Sequence, residues 1–134
     1  MKILKIINLP ILAIMIFLEA LPFGVKMSWA SDEGFSSISY HSYFDTLPWG
    51  YGDMGPFFCA IISVALFVLI LLSLFFKKRH DTYLLVVEIL SWVAVLFSFM
   101  PLMFNSYTLF GGIISALMVI VAEINRLVRT KNRK

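Results

Sequence analysis

The sequence has few charged residues and a single cysteine, and both shortages limit the classes of protein to which it can belong. Only 14% of its 134 residues are charged, whereas about a quarter are charged in a soluble domain. Cys59 is the only cysteine, so an intramolecular disulfide and a Cys-x-x-Cys pair are impossible. Four-helix membrane thiol oxidoreductases, which need such pairs, are therefore excluded. Cys59 lies inside an apolar run, where a free cysteine behaves as a small hydrophobic residue.

Motifs for catalysis and metal binding are also missing from the sequence. There is no Gly-x-Ser-x-Gly, no His-Glu-x-x-His and no P-loop. His41 and His80 are predicted on opposite sides of a membrane, where they cannot share a metal ion. Ser39, His41 and Asp45 are close in sequence, but proximity alone does not make a catalytic triad. We therefore expect a protein that is not an enzyme and that uses no cofactor and no metal.

Apolar residues, in contrast, make up 60% of the chain. In a soluble fold of this length, much of their surface would stay in water, at a cost of ~25 cal/mol per Å². They fall into four runs, each near the ~20 residues with which a helix crosses a bilayer. Backbone groups in lipid must pair internally, which favours helices. The fold class is therefore an all-α, single-domain, four-helix transmembrane bundle, with spans at about residues 6–25, 56–76, 83–104 and 107–128.

The basic residues indicate how the four spans are oriented. Ten of the eleven lie before the first span, between the second and third, at the end of the fourth and in a basic tail at residues 129–134, all on one side of a four-pass path, whereas Lys26 lies in the loop with four acidic residues. Both termini are therefore predicted in the cytoplasm, with the protein in the cell (plasma) membrane. Contact with anionic lipid headgroups accounts for the net charge of +3, so nucleic acid is not an expected partner. The ten basic residues on that side are Lys2, Lys5, Lys77, Lys78, Arg79, Arg126, Arg129, Lys131, Arg133 and Lys134.

The first span has an alternative interpretation as a cleaved signal peptide. The chain begins with a basic region and a short apolar region, and Ser28-Trp29-Ala30 offers small residues before a cleavage at Ser31. However, the apolar run continues past Glu19 to Val25, which favours a retained helix. Cleavage would leave three helices with the same loop outside.

Residues 26–55 form the external loop, the only segment large enough to fold outside the bilayer. Apolar–polar alternation in residues 25–30 and 35–40, separated by the turn signal Ser31-Asp32-Glu33-Gly34, predicts a β-hairpin. The rest is rich in aromatic residues, glycine and proline. These aromatics fit a belt at the headgroup level and a packed cap over the bundle. The other interpretation is a surface that recognises a lipid, a cell-wall precursor or a partner protein through Tyr43, Phe44, Trp49 and Tyr51.

Small residues four positions apart mark one face of the fourth span, where they would let two helix backbones approach closely in lipid. Packing inside the bundle and formation of a homodimer are both open interpretations of this face. Related faces on the second and third spans are expected to meet in the bundle centre. The residues of the fourth span are Gly111, Gly112, Ser115 and Ala116, and those of the other two are Cys59, Ala60, Ser63, Glu88, Ser91, Ala94 and Ser98.

Three glutamates lie within the apolar runs, although a charge at the bilayer centre costs about 2.5–3.5 kcal/mol. Glu88 and Glu123 are predicted near the cytoplasmic face, and Arg126 follows Glu123 by three residues on the same helix. A Glu88–Arg126–Glu123 ion-pair cluster is one interpretation, and a proton or cation site is the other. Glu19, near the outer end of the first span, is expected to pair with Lys26 or to stay protonated.

The loop Ser42-Tyr43-Phe44-Asp45-Thr46-Leu47-Pro48-Trp49-Gly50-Tyr51 resembles that of small four-pass membrane proteins of Gram-positive bacteria. These proteins carry a Ser-Tyr-Phe-x-x-Leu-Pro-aromatic-Gly-Tyr loop and a glutamate late in the last helix, here Glu123. The resemblance implies a topology but no activity. The chain is also similar to the small multidrug resistance transporters, which have four helices and a glutamate in the first, here Glu19. Their external loops are short, whereas this one has about thirty residues.

Two functional hypotheses follow. The first is a non-enzymatic membrane protein that binds a partner protein or a lipid through its external aromatic loop. The alternative is a small transporter or channel subunit that uses Glu19, or Glu88 together with Glu123.

Overall fold

Four long helices and one small sheet make up the computed structural model, which describes residues 2–30, 32–34, 36–75 and 81–133. In chain order the elements are α1 (Lys2–Ala20), β1 (Val25–Ala30), β2 (Ser36–His41), the short α2 (Leu47–Gly50), α3 (Gly55–Phe75), α4 (Asp81–Phe99) and α5 (Leu109–Arg133), with a 3₁₀ turn at Met100–Leu102. Helices α1, α3 and α5, and α4 with its 3₁₀ turn, are long and apolar enough to cross a membrane. The predicted helices and hairpin are thereby confirmed. Four sets of predicted features lie outside the described residues: Ser31 and Phe35, Phe76, the basic turn 77–80 and Lys134.

The first and last long helices differ from their predicted bounds. Helix α1 ends at Ala20 instead of residue 25, because Pro22 and Gly24 follow it and the chain then enters β1. Helix α5 continues to Arg133, so residues 129–133 of the predicted basic tail are helical. Arg133 pairs with Asp81 at the start of α4, at 3.0 Å, which holds the last turn of α5 against α4.

The bundle core receives side chains from all four long helices. Each of α1 and α4 packs against both α3 and α5, which gives a ring of four helices. Leu12 and Met15 of α1, Leu66 of α3 and Met118 of α5 are fully buried in it. The small-residue faces of α3 and α4 meet in this core as predicted, since Cys59, Ala60, Ser63, Ser91, Ala94 and Ser98 are all fully buried.

The hairpin lies on the turn between α4 and α5. Strands β1 and β2 are antiparallel, with Val25 opposite His41. Gly34, in the turn between them, has a φ of +79°, in the left-handed region that glycine adopts without strain. The Lys26 backbone N–H donates to the Ser106 carbonyl oxygen at 2.9 Å, and Val25 forms a β-bridge with the next residue, 107. We call residues 25–54, with the hairpin, the following loop and α2, the cap.

Candidate functional site

Tyr43 anchors the cap. Its side chain is fully buried, and its backbone N–H donates to the Glu19 carbonyl oxygen at the end of α1, at 2.9 Å. A Cβ atom at Gly24 would lie 2.6 Å from Tyr43 Cδ1, and one at Gly111 would lie 3.2 Å from its hydroxyl oxygen, so these two glycines leave the space that the ring fills. Burial raises the pKa of the Tyr43 hydroxyl above its ordinary value. Tyr43 therefore does not belong to the exposed recognition surface for which it was predicted.

The other three predicted recognition residues are exposed on the cap. Phe44, Trp49 and Tyr51 expose 37%, 40% and 64% of their surface. The Trp49 ring packs on Phe57 of α3 with centroids 5.2 Å apart, and Tyr51 meets Trp29 of β1 edge to face at 4.9 Å. Trp49 and Tyr51 are thus held by neighbouring rings while a large part of each stays open.

A cleft of about 280 Å³, with both polar and apolar residues in its wall, opens between the cap and the α4–α5 turn. Asp53, which is 5% exposed, forms part of its wall. Oδ2 of Asp53 accepts a hydrogen bond from the Ser106 hydroxyl, and Oδ1 is enclosed away from the surface of the cleft. Burial raises the pKa of Asp53, against the opposing effect of the Ser106 hydroxyl and the Gly55 backbone N–H. Other residues of the cleft wall are Lys26, Trp29, Tyr51 and Asn105.

A second cleft, of about 340 Å³, shares Lys26 with the first and is mainly apolar. Phe23 and Phe110 lie in its wall with ring centroids 5.6 Å apart, and Leu109 is 80% exposed beside them. Helix α5 begins at Leu109, so the positive end of its dipole is next to this cleft. Lys26 therefore lines both clefts.

A hydrogen-bonded chain of polar side chains joins the two strands to α2. Trp29 Nε1 donates to Ser39 Oγ at 2.7 Å, Ser39 Oγ is 2.9 Å from His41 Nε2, and His41 Nδ1 is 2.7 Å from Asp45 Oδ2. Asp45 Oδ1 also accepts the Leu47 backbone N–H, and this bond, followed by that with His41, lowers the pKa of Asp45. The serine, histidine and aspartate, noted as neighbours in sequence, thus stand in the order of a Ser-His-Asp relay. Asp45 accepts a bond from Leu47, the first residue of α2, and Ser39 accepts one from Trp29 of β1. These hydrogen-bonded side chains therefore connect both strands to α2 and stabilise the cap.

Glu19 lies in the interior, fully buried. The Ser63 hydroxyl of α3 is 2.8 Å from each of its carboxyl oxygens, and the Cys59 sulfur is 3.6 Å from Oε1. Its partners thus come from α3, while Lys26, the partner predicted for it, lines the two clefts instead.

The predicted Glu88–Arg126–Glu123 cluster is divided into two ion pairs. Arg126 Nη1 is 3.2 Å from Glu123 Oε1, as predicted, and both side chains are exposed. Glu88 pairs with Arg129, and this pair is mostly buried, with side-chain exposures of 12% and 22%. Because α5 continues past residue 128, Arg129 reaches Glu88 across the α4–α5 contact, and Arg126 stays at the exposed side.

Asparagines in the end of the bundle opposite the cap were missed by the sequence analysis. Asn125 Nδ2 donates to Ser91 Oγ at 2.7 Å, and Asn8 Nδ2 donates to Asn125 Oδ1 at 2.8 Å. Lys5 Nζ donates to Ser73 Oγ at 3.0 Å. These bonds link α1 to α5, α5 to α4, and α1 to α3. The available signal was a polar amide inside each of the first and last apolar runs, which in lipid must find a partner.

The small-residue face of α5 is used partly within the chain. Gly111 is buried under the cap, and the buried Ser115 donates to the Ser98 carbonyl oxygen at 3.1 Å. Gly112 is half-buried and Ala116 is exposed. A homodimer through this face stays a prediction, with Gly112 and Ala116 as the accessible residues.

No protein-family model, curated protein or solved structure matches this chain. The resemblance to small four-pass membrane proteins therefore stays a prediction. No group of three or more His, Cys, Asp or Glu residues within the described ranges could hold a metal ion. The cap, its two clefts and the buried Glu19 are the features of this chain that bear on its function.

Proposed function

We propose that this chain is a non-enzymatic multi-pass protein of the cell membrane whose cap binds a partner protein or a lipid at the outer surface, with both termini in the cytoplasm. The outward faces of the long helices support the membrane placement. Phe17, Phe75 and Leu96 expose 65%, 77% and 74% of their surface, which is unfavourable in water and neutral in lipid. The basic residues at the end of the bundle opposite the cap support the orientation.

The observation that carries the binding proposal is the exposure of Phe44, Trp49 and Tyr51 on a cap whose backbone is fixed. Tyr43 and the hydrogen-bonded chain from Trp29 to Asp45 hold the cap in place. Aromatic side chains that are already ordered lose little entropy on binding, and each offers a large apolar surface. Such residues suit a partner that meets the protein at the membrane surface.

The topology can be tested by cysteine labelling. Cys59 is fully buried, so a cysteine introduced at an exposed position is labelled selectively. Ser37 on β2 and Thr130 on α5 are exposed. A membrane-impermeant maleimide should label Ser37→Cys in intact cells and Thr130→Cys only after permeabilisation. Labelling of both variants in sealed cells, or the reverse order, would refute the orientation.

The binding proposal can be tested by photo-crosslinking in cells. A photoreactive amino acid at Trp49 or Phe44 should trap a defined protein band or a labelled lipid. The same amino acid at the fully buried Leu66 is the matched control and should give contacts within the chain only. If the two cap positions give the same products as position 66, the binding proposal is wrong.

A second candidate function, transport of a proton or small cation, is favoured by Glu19. A fully buried carboxyl group held by hydroxyl and thiol groups in a membrane bundle is the kind of group that transporters use. Glu88 and Glu123 are each paired with an arginine and fit a structural role better. Proton-linked flux in reconstituted vesicles should be lost in Glu19→Gln and kept in Glu123→Gln. Absence of flux in the parent protein would remove this candidate.

A further inference from the structure

Glu19 and Tyr43 are neighbours at the end of the bundle that carries the cap. Glu19 is the second-to-last residue of α1, and its carbonyl oxygen accepts the Tyr43 backbone N–H at 2.9 Å. The Cys59 sulfur, 3.6 Å from Glu19 Oε1, is fully buried with it. Burial raises the pKa of the Tyr43 hydroxyl, and the nearby Cys59 and Glu19 groups raise it further. The tyrosine side chain therefore adjoins the Glu19–Cys59 pair.

The Tyr43 ring is held in place by packing. It fills the space that Gly24 and Gly111 leave, and its hydroxyl has no hydrogen-bond partner among the residues that the structure describes. A buried hydroxyl without such a bond is unfavourable, and it would gain one from water if the ring moved outward. The next residue, Phe44, is already exposed at the surface of the cap. The ring thus lies between that surface and Glu19, with no hydrogen bond from its side chain to retain it.

In the opposite direction, Glu19 is followed by an apolar layer. Met15 and Leu12 lie one and two turns before it on the same buried face of α1, and Leu66 of α3 is fully buried with them. The next buried polar side chain on this face is Asn8, which is about 16 Å from Glu19 along the helix at 1.5 Å per residue. A polar solute that came from that end would have to cross the apolar layer. The shorter route to Glu19 is therefore on the side of the cap.

We propose that Tyr43 is the outer gate of a proton or small-cation site at Glu19. With the ring in place, Glu19 and Cys59 are closed to the outer solution. When the ring moves outward with the loop that carries it, both groups are reached from outside, while the apolar layer keeps them closed to the cytoplasm. This inference rests on the proposed placement of the cap outside the membrane, and it gives the second candidate function an entrance.

Cys59 is a reporter for the gate, because it is the only cysteine and its sulfur lies beside the Glu19 carboxyl group. Intact cells are treated with a small, membrane-impermeant methanethiosulfonate, and the protein unfolded in dodecyl sulfate gives the value for complete labelling. Tyr43→Ala should raise the labelling rate of Cys59 by about tenfold or more, since loss of a buried aromatic ring leaves a cavity and favours local opening. Tyr43→Phe keeps the ring and is the matched control, so it should be labelled as slowly as the parent.

Two further variants distinguish an open gate from an unfolded bundle. Ala122 is fully buried about half-way along α5, so Ala122→Cys in a Cys59→Ser background reports opening of the whole bundle. Position 122 should stay unlabelled with and without Tyr43→Ala. Gly24→Ala is a second way to displace the ring, because its Cβ atom would lie 2.6 Å from Tyr43 Cδ1. It should also raise the labelling of Cys59 and leave position 122 unlabelled.

Three results would overturn the inference. They are unchanged labelling of Cys59 in both Tyr43→Ala and Gly24→Ala, equal labelling in Tyr43→Phe and Tyr43→Ala, and labelling of position 122 in both variants that displace the ring. The Ser37→Cys variant separates this failure from that of the proposed function. If Ser37→Cys is labelled in intact cells while Cys59 gives one of these results, only the gate is wrong. If Ser37→Cys is not labelled, the placement of the cap is wrong, and the gate with it.

Discussion

Replacement of Gly55 by alanine should separate two helices that touch at the backbone. Gly55 is the first residue of α3, and a Cβ atom there would lie 2.5 Å from Met100 Cβ and 2.6 Å from the Phe97 carbonyl oxygen. Ordinary contacts between carbon atoms are about 3.5–4.0 Å, so the overlap is about 1 Å. The carbonyl belongs to the backbone of α4, and a change of rotamer cannot relieve it.

The size of the effect follows from two opposing terms. Overpacking of this kind costs about 1–3 kcal/mol, and alanine recovers at most about 0.5–1 kcal/mol of helix propensity. Gly55→Ala should therefore lower the free energy of unfolding by up to about 2.5 kcal/mol. The assay is unfolding in mixed micelles with increasing dodecyl sulfate, followed by circular dichroism.

Gly112→Ala is the matched control for this prediction. A Cβ atom at Gly112 meets the Tyr107 ring at 3.6 Å, an ordinary contact, so only the propensity term remains. This variant should be as stable as the parent or about 0.5–1 kcal/mol more stable. A Gly55→Ala protein that unfolds at the same dodecyl sulfate fraction as Gly112→Ala would refute the close approach of α3 and α4.

Three other predictions concern charges and amides. Arg129→Gln should lower the free energy of unfolding in the same assay by about 1–3 kcal/mol, because it leaves the mostly buried Glu88 carboxylate unpaired. Arg126→Gln removes an exposed pair and should change the free energy of unfolding by less than about 0.5 kcal/mol. Equal effects of the two variants would contradict the division into two ion pairs. Asn125→Ala should cost about 1–2 kcal/mol, since it removes two bonds between helices worth about 0.6 kcal/mol each and leaves one partner unsatisfied; an unchanged midpoint would show that this bridge contributes nothing. The pKa of Asp45 is lowered in the folded protein, so its stabilisation of the cap is complete above its unfolded pKa of about 4 and is lost as the pH falls through the lower folded value. Hydrogen-exchange protection of the β2 amides should therefore fall below about pH 4 in the parent but not in Asp45→Asn.

The four helices and the hairpin could be predicted because each depends on local sequence. The lengths of the four apolar runs predict the four long helices. The turn around Gly34 separates two segments of alternating apolar and polar residues, which predicts the hairpin. The small-residue faces of the second and third spans also follow from local spacing. The end of α5 could not be placed in this way, because a basic tail and a basic helical turn have the same composition. Its helical state depends on Glu88 and Asp81, which are distant in sequence.

The site was harder to predict than the fold. Tyr43 is an aromatic residue in the same loop as Trp49 and Tyr51, so the sequence does not distinguish it from them. Its ring is buried because Gly24 and Gly111 leave space for it. The two clefts depend on where β1 meets the α4–α5 turn, a contact across about eighty residues of chain. Sequence spacing carries no information on such a contact.

Strand β1 is held along both edges, by β2 on one and, at its first residues, by the α4–α5 turn on the other. Helix α1 before it inserts Leu12 and Met15 into the bundle. A protease that cut after Ala30 would therefore yield two polypeptides that stay associated in one complex. The shorter one would separate on a denaturing gel and would co-purify with the longer one under native conditions, so the apparent size of the protein would depend on how it was examined.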